Sequence, residues 1–83
     1  MEVEFRPSAS REYLALEEAA RKRVEGGIEA LRQGHGDVRK LRGPRSLYRL
    51  RVGDFRVIFE RDPKLGKLIV ISVRHRKDAY RTR

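Results

Sequence analysis

No cysteine occurs in the sequence, which excludes disulfides and thiolate-bound metal and suits a reducing compartment. Histidine is nearly as scarce. With His35 and His75 the only two, a structural zinc site is not indicated, and no metal or other cofactor is expected. No apolar run approaches the ~20 residues of a membrane-spanning helix. The opening stretch MEVEFRPSAS lacks the basic and apolar segments of a secretory signal. These absences lead to the expectation of a soluble, cytoplasmic protein with no membrane partner. Acidic residues are also in short supply: 12 Asp and Glu stand against 21 Lys and Arg, a net charge of +9.

What is present, then, is positive charge on a small frame. The 83 residues are expected to form one domain, residues 1–83, with a single thin core. Charged residues make up 40% of the chain, against roughly 25% in an ordinary soluble domain. A charge so far from neutral costs self-repulsion and points to an anionic partner, with nucleic acid favoured over an acidic protein or a membrane surface. The charge is also uneven. Residues 1–33 hold six Lys/Arg and seven Asp/Glu, whereas residues 34–83 hold fifteen and five. The first part reads as scaffold and the second as working surface.

Hydrophobic spacing supplies the elements. MEVEF alternates apolar and acidic residues and reads as a short strand ended by Pro7, after which Ser8 or Ser10 can cap a helix. Tyr13, Leu14, Leu16, Ala20, Val24, Ile28 and Leu31 recur at three- and four-residue steps, the pattern of two amphipathic helices bent near residues 16–18. Gly26 and Gly27 interrupt the second, each at about 1 kcal/mol relative to alanine, either because the helix crowds a sheet there or because it is weak. GHGD reads as a loop, with His35 at the surface, and VRKLRGPRS as a basic connection. Strands follow at residues 47–52, 55–61 and 67–74. The order β-α-α-β-β-β makes an α+β domain with two N-terminal helices packed on one face of a small, mainly antiparallel sheet.

The hairpin YRLRVGDFRVIFE carries the functional signal. A two-residue Gly53-Asp54 loop with glycine first suits a type II′ turn, which sets Val52 opposite Phe55, Leu50 opposite Val57 and Tyr48 opposite Phe59. Those six make one apolar face. The other face then has Arg51 opposite Arg56 and Arg49 opposite Ile58. Like charges directly across a ladder destabilise it. A solvated, aggregation-resistant surface is the plain alternative, but it does not account for the facing pair, and arginine suits the clamping of phosphates. On the last strand, Ile69, Ile71 and Val73 share one parity. If they join the core, Arg74 and Arg76 fall on the arginine face. The C-terminal RHRKDAYRTR adds His75, able to exchange a proton near neutral pH, and Tyr80, a phenol able to stack on a base.

GDVRKLRG, LYRLRVGDFRVIFE and VISVRHRKDAY, in that order after a helical first half, resemble the RelE toxins of the RelE/ParE superfamily of toxin–antitoxin systems. The resemblance implies a metal-independent endoribonuclease (an mRNA interferase) that cuts messenger RNA in the ribosomal A site. In that chemistry the ribose 2′-OH attacks the adjacent phosphate. By position, Arg56 would hold the scissile phosphate, Arg76 would share that role or protonate the leaving oxygen, and Tyr80 would orient the attacked nucleotide. Arg49 and Arg51 stand where some members have lysines, one of them often the general base. Arginine, with a pKa above ~12, serves poorly as a base, so either another group, with His75 the obvious catalytic candidate, takes the proton, or proton transfer is weak and electrostatics dominates. Arg49, Arg51, Arg74, Lys40 and Lys77 complete the expected RNA-binding set. The resemblance further implies an acidic, RelB-like cognate antitoxin as partner, besides the ribosome and mRNA. A ParE-like poison of DNA gyrase and a non-catalytic RNA- or antitoxin-binding module are the competing readings.

Overall fold

The Gly53-Asp54 turn folds the middle of the chain back on itself. Gly53 sits at φ +57°, and no non-glycine residue described has a positive φ, so the loop has the type II′ pattern of signs. The computed structural model describes residues 1–43 and 46–79. Its elements are β1 (Glu2–Phe5), α1 (Pro7–Leu14), α2 (Glu18–Arg32), β2 (Asp37–Lys40), β3 (Leu47–Val52), β4 (Phe55–Asp62), β5 (Lys67–His75) and α3 (Arg76–Ala79). They form one five-stranded sheet in the order β1-β5-β4-β3-β2, antiparallel except for the β1–β5 pair. The α+β class and the helix-covered sheet agree with the sequence reading. That reading lacked two elements: β2, taken for a connection, and the four-residue α3.

The β3–β4 register is the expected one: Val52 opposite Phe55, Leu50 opposite Val57, Tyr48 opposite Phe59. Tyr48 and Phe59 stack with ring centroids 5.5 Å apart. Leu50, Val57 and Phe59 are buried beneath Ala9 of α1 and Val24, Ile28 and Leu31 of α2. Leu14, expected on the buried stripe, is instead 66% exposed, because α1 ends there. The chain then breaks before α2, and Arg21 donates a guanidinium hydrogen bond to the carbonyl of Leu16 at the junction.

Strand β5 departs from simple alternation. Its buried residues are Leu68, Val70 and Val73, not Ile69, Ile71 and Val73. Phe59 pairs with Val70 but Ile58 with Ser72, so Ile71 is an extra residue, a β-bulge that resets the parity. Beyond the bulge, Val73 still faces the core and Arg74 the opposite side.

The start of α1 also differs from expectation. Neither Ser8 nor Ser10 caps it. Arg6 is the N-cap, without a side-chain cap bond, and Pro7 supplies the fixed φ of a first helical turn. Ser8 Oγ instead donates to the carbonyl oxygen of Ile71 at 3.4 Å.

The two helix glycines are not equivalent. A Cβ on Gly27 would lie 2.5 Å from Cγ2 and 3.3 Å from Cβ of Val52, so α2 rests on β3 at a distance only glycine permits. Gly26 has nothing within 4 Å of such an atom. Gly26→Ala is therefore expected to raise the unfolding free energy by about 0.5–1 kcal/mol through helix propensity. Gly27→Ala is expected to lower it, since Val52 must shift. Urea titrations of the two variants check both signs.

Candidate nucleic-acid interface

Strand alternation sorts the basic residues. Alternate residues of β3, β4 and the end of β5 (Leu50, Phe55, Val57, Phe59 and Val73 buried, Tyr48 and Val52 partly so) pack under the helices, which turns the residues between them to the uncovered face. Two cross-strand rows result at the hairpin end of that face. One runs Asp37, Arg51, Arg56, Arg74; the next runs Arg39, Arg49, Ile58, Ser72. Arg51, Arg56 and Arg74 thus stand side by side on three neighbouring strands. Facing pairs in a ladder lie roughly 4.5–5.5 Å apart at Cα, close enough for the guanidinium forks to converge on one phosphate.

Carboxylates hold the outer arginines. Asp37 lies 3.5 Å from Arg49 Nη2 through Oδ1 and 3.8 Å from Arg51 Nη1 through Oδ2. Glu12, on α1, accepts from Arg74 Nε at 3.1 Å. Arg49 is the most enclosed of this group, its side chain 17% exposed, with Nε buried and without a hydrogen-bond partner among the described residues. At the far end of the same face, acidic residues restore balance: Glu4 bonds Lys67 at 3.1 Å and Glu60 lies 4.0 Å from Arg6. The hydrogen bond that Lys67 Nζ donates to Glu4, and then the charge of Glu4, raise the Lys67 pKa. Positive charge is therefore concentrated at the hairpin end.

The other expected site residues are placed differently. His75 pairs with Phe55 across the sheet and meets its ring edge-on at 5.3 Å, so it lies on the helix-covered side, not beside Arg51 and Arg56. Its Nδ1 accepts from the backbone N–H of Lys77 at 3.2 Å. Arg76 leaves the strand as the first residue of α3. Its backbone N–H donates to the Asp54 carbonyl at 2.6 Å, and its guanidinium lies 4.0 Å from the Asp54 carboxylate. His75, Arg76, Lys77 and Asp54 line a depression of about 300 Å³ around the turn. This second cluster adjoins the arginine rows rather than continuing them. Lys40 pairs with Tyr48 and takes its parity, so it too is off the arginine face. Tyr80 lies outside the described residues. Among those described, no group of three His, Asp or Glu residues is placed to hold a metal ion, and no helix is long and apolar enough to cross a membrane.

A family model described as ParE toxin of type II toxin-antitoxin system, parDE, matches residues 3–80. The chain belongs to the RelE/ParE superfamily of type II toxins. Solved structures agree. The toxin is 26% identical to RelE in the RelB–RelE antitoxin–toxin complex from Methanococcus jannaschii, over 93% of this chain and 94% of that one, with a TM-score of 0.75. It is 25% identical to RelE in the archaeal RelE–RelB complex from Pyrococcus horikoshii OT3, over 90% and 93%, with a TM-score of 0.72. The isolated E. coli RelE toxin shares the fold, with a TM-score of 0.78 over 95% and 94% of the two chains at 18% identity. No curated protein matches by sequence.

Three residues that form or hold the toxin's arginine face escaped the sequence reading: Arg39 and Asp37 of β2, and Glu12 of α1. Arg39 and Asp37 flank Val38 in β2, so their alternation was available once that segment was taken as a strand. Glu12 carries no such signal, because its contacts are with residues 61 and 62 positions away. The facing arginines should be measurable as strain. Arg51→Thr is expected to raise the unfolding free energy by about 0.5 kcal/mol at low salt, since relief of like-charge contact outweighs a loose surface pair with Asp37. The gain should shrink as salt screens the repulsion. Denaturation of wild type and variant at two ionic strengths tests this.

Proposed function

We propose that this toxin is a ribosome-dependent endoribonuclease that cuts messenger RNA, with its arginine rows as the phosphate-binding surface. The observation that carries the reading is the set of three arginines, Arg51, Arg56 and Arg74, on adjacent strands of the uncovered face. A ladder that accepts this repulsion gains by binding a polyanion. The arginine family counterparts described above point the same way.

The chemistry asked of such a surface is modest. The 2′-OH gives up its proton to solvent as its oxygen bonds to phosphorus, and the bond to the 5′-oxygen breaks as that oxygen takes up a proton, giving a 2′,3′-cyclic phosphate and a free 5′-OH. Negative charge builds on the non-bridging oxygens in the transition state. Fixed guanidinium donors aimed there are worth most of the acceleration such a site can supply. Arg56, central in its row, is assigned the scissile phosphate. Arg76, at the turn, is assigned the leaving side, and Tyr80 the orientation of the nucleotide. His75 lies across the sheet with Nδ1 engaged, so electrostatic stabilisation, rather than proton abstraction by His75, is the main contribution proposed. Arg49 and Arg39 extend the surface along the backbone, and Lys77 extends the turn cluster.

An acidic, RelB-like antitoxin is the proposed partner. The M. jannaschii and P. horikoshii relatives were solved with theirs, and the excess of basic residues in positions 34–83 suits an acidic segment that competes with RNA. The second reading is a ParE-like block of DNA gyrase, favoured by the description of the matching family; arginines at the positions of the lysine base favour instead a non-catalytic binding module.

Mapping RNA ends on programmed ribosomes decides between them. Wild type is expected to cut, leaving cyclic phosphate ends. Arg56→Ala should reduce the rate at least ~100-fold, the loss typical of a transition-state charge stabiliser, with smaller losses for Arg76→Ala and Tyr80→Phe. Intact message together with gyrase-trapped DNA breaks would overturn the nuclease reading. Salt-sensitive RNA binding without any product would leave a binding module.

A further inference from the structure

Strand β1 pairs with only the first part of β5, Lys67 to Val70. Beyond that point the outer edge of β5 meets α1 instead. Arg6 N–H donates to the Val70 carbonyl at 2.9 Å, and Ser8 Oγ to that of Ile71. Glu12 completes the series: its Oε1 accepts from the backbone N–H of Val73 at 2.8 Å, while its Oε2 accepts from Arg74 Nε at 3.1 Å. One carboxylate therefore grips both the backbone just past the bulge and the side chain that the bulge turns toward the arginine face.

We propose that Glu12 is a positioning residue for the phosphate-binding row, holding Arg74 by its Nε so that the Nη end of the fork is presented to the RNA backbone. This rests on the nuclease reading for its catalytic consequence, though not for its geometry. The Glu12 side chain is 28% exposed and that of Arg74 47% exposed, so the contact is partly shielded while the cation still reaches solvent. An arginine has five N–H donors, and a contact at Nε leaves the four on the Nη nitrogens. A long, flexible side chain restrained from behind loses less freedom when an anion arrives. A carboxylate so near a phosphate site lowers the site's net charge, a cost for mere affinity that orientation offsets.

Glu12→Gln separates the two functions of the carboxylate. The glutamine carbonyl can still accept from Val73, but its amide nitrogen cannot accept from Arg74 Nε. The variant is expected to melt like wild type and to bind an RNA oligonucleotide as tightly or more tightly at low salt. Cleavage of ribosome-bound message should nevertheless fall about 10- to 100-fold, the scale of a misplaced catalytic contact. In an Arg74→Ala background the same change should have no further effect on cleavage. Unchanged or faster cleavage, or a loss that persists without Arg74, overturns the proposal. If wild type proves not to cut RNA, the nuclease reading fails while the positioning claim is still decided on the free protein by NMR. The Arg74 Nε–H resonance should be resolved and slow to exchange in wild type and averaged in Glu12→Gln. An averaged resonance in wild type would refute the contact itself.

Discussion

The two-residue turn at Gly53-Asp54 governs which side of the sheet each side chain of β3 and β4 occupies. Side chains alternate with a period of two, so a slip of one residue would exchange the faces entirely. In the observed register Leu50, Val57 and Phe59 are buried and Arg51 faces Arg56. The magnitudes explain why this register wins. Burying each large apolar side chain is worth about 1.5–3 kcal/mol, whereas an unfavourable cross-strand charge pair costs about 0.2–1 kcal/mol. The core can therefore enforce an arrangement that the arginines by themselves would oppose.

The same core needs the sheet's long strand to be finished at its edge. β5 has nine residues and β1 only four, so most of one edge would present free backbone groups without further cover. α1 supplies that cover through Ser8 and Glu12, which is why a serine expected as a helix cap bonds a strand instead. The bulge at Ile71 belongs to this solution. It keeps Val73 in the core after Val70 and so sends Arg74 to the face already holding Arg51 and Arg56.

Much of this was legible in the sequence because it rests on local periodicity. The hairpin register, the break between the helices and the Arg51–Arg56 pair all follow from spacing of two or of three to four residues. Residues 68–73, LIVISV, are apolar at every position but one, so alternation gave no way to place an extra residue or to choose between Leu68 and Ile69. β2 was missed because its four residues include a single apolar one, Val38, whose partner Leu50 is twelve positions on. His75 is a different case. The alternation that put Arg74 on the basic face already put its neighbour on the other one, and the appeal of an imidazole near neutral pH obscured that. Glu12 was beyond reach, since nothing local marks a helix residue that closes a strand more than sixty residues away.

Repulsion across β3, β4 and β5 also links folding to binding. Asp37 and Glu12 offset part of the charge at the two ends of the Arg51–Arg56–Arg74 row, at the cost of weakening it as an anion trap. A structure built only for stability would place Thr or Val at Arg51, and one built only for affinity would omit the carboxylates. The observed compromise fits a surface that must hold a phosphate in one orientation. Any anion bound there relieves the strain and stabilises the fold by mass action, so the bound protein is the more stable one. Under the proposed function, an anionic ligand would complete the sheet electrostatically, as the helices complete it apolarly.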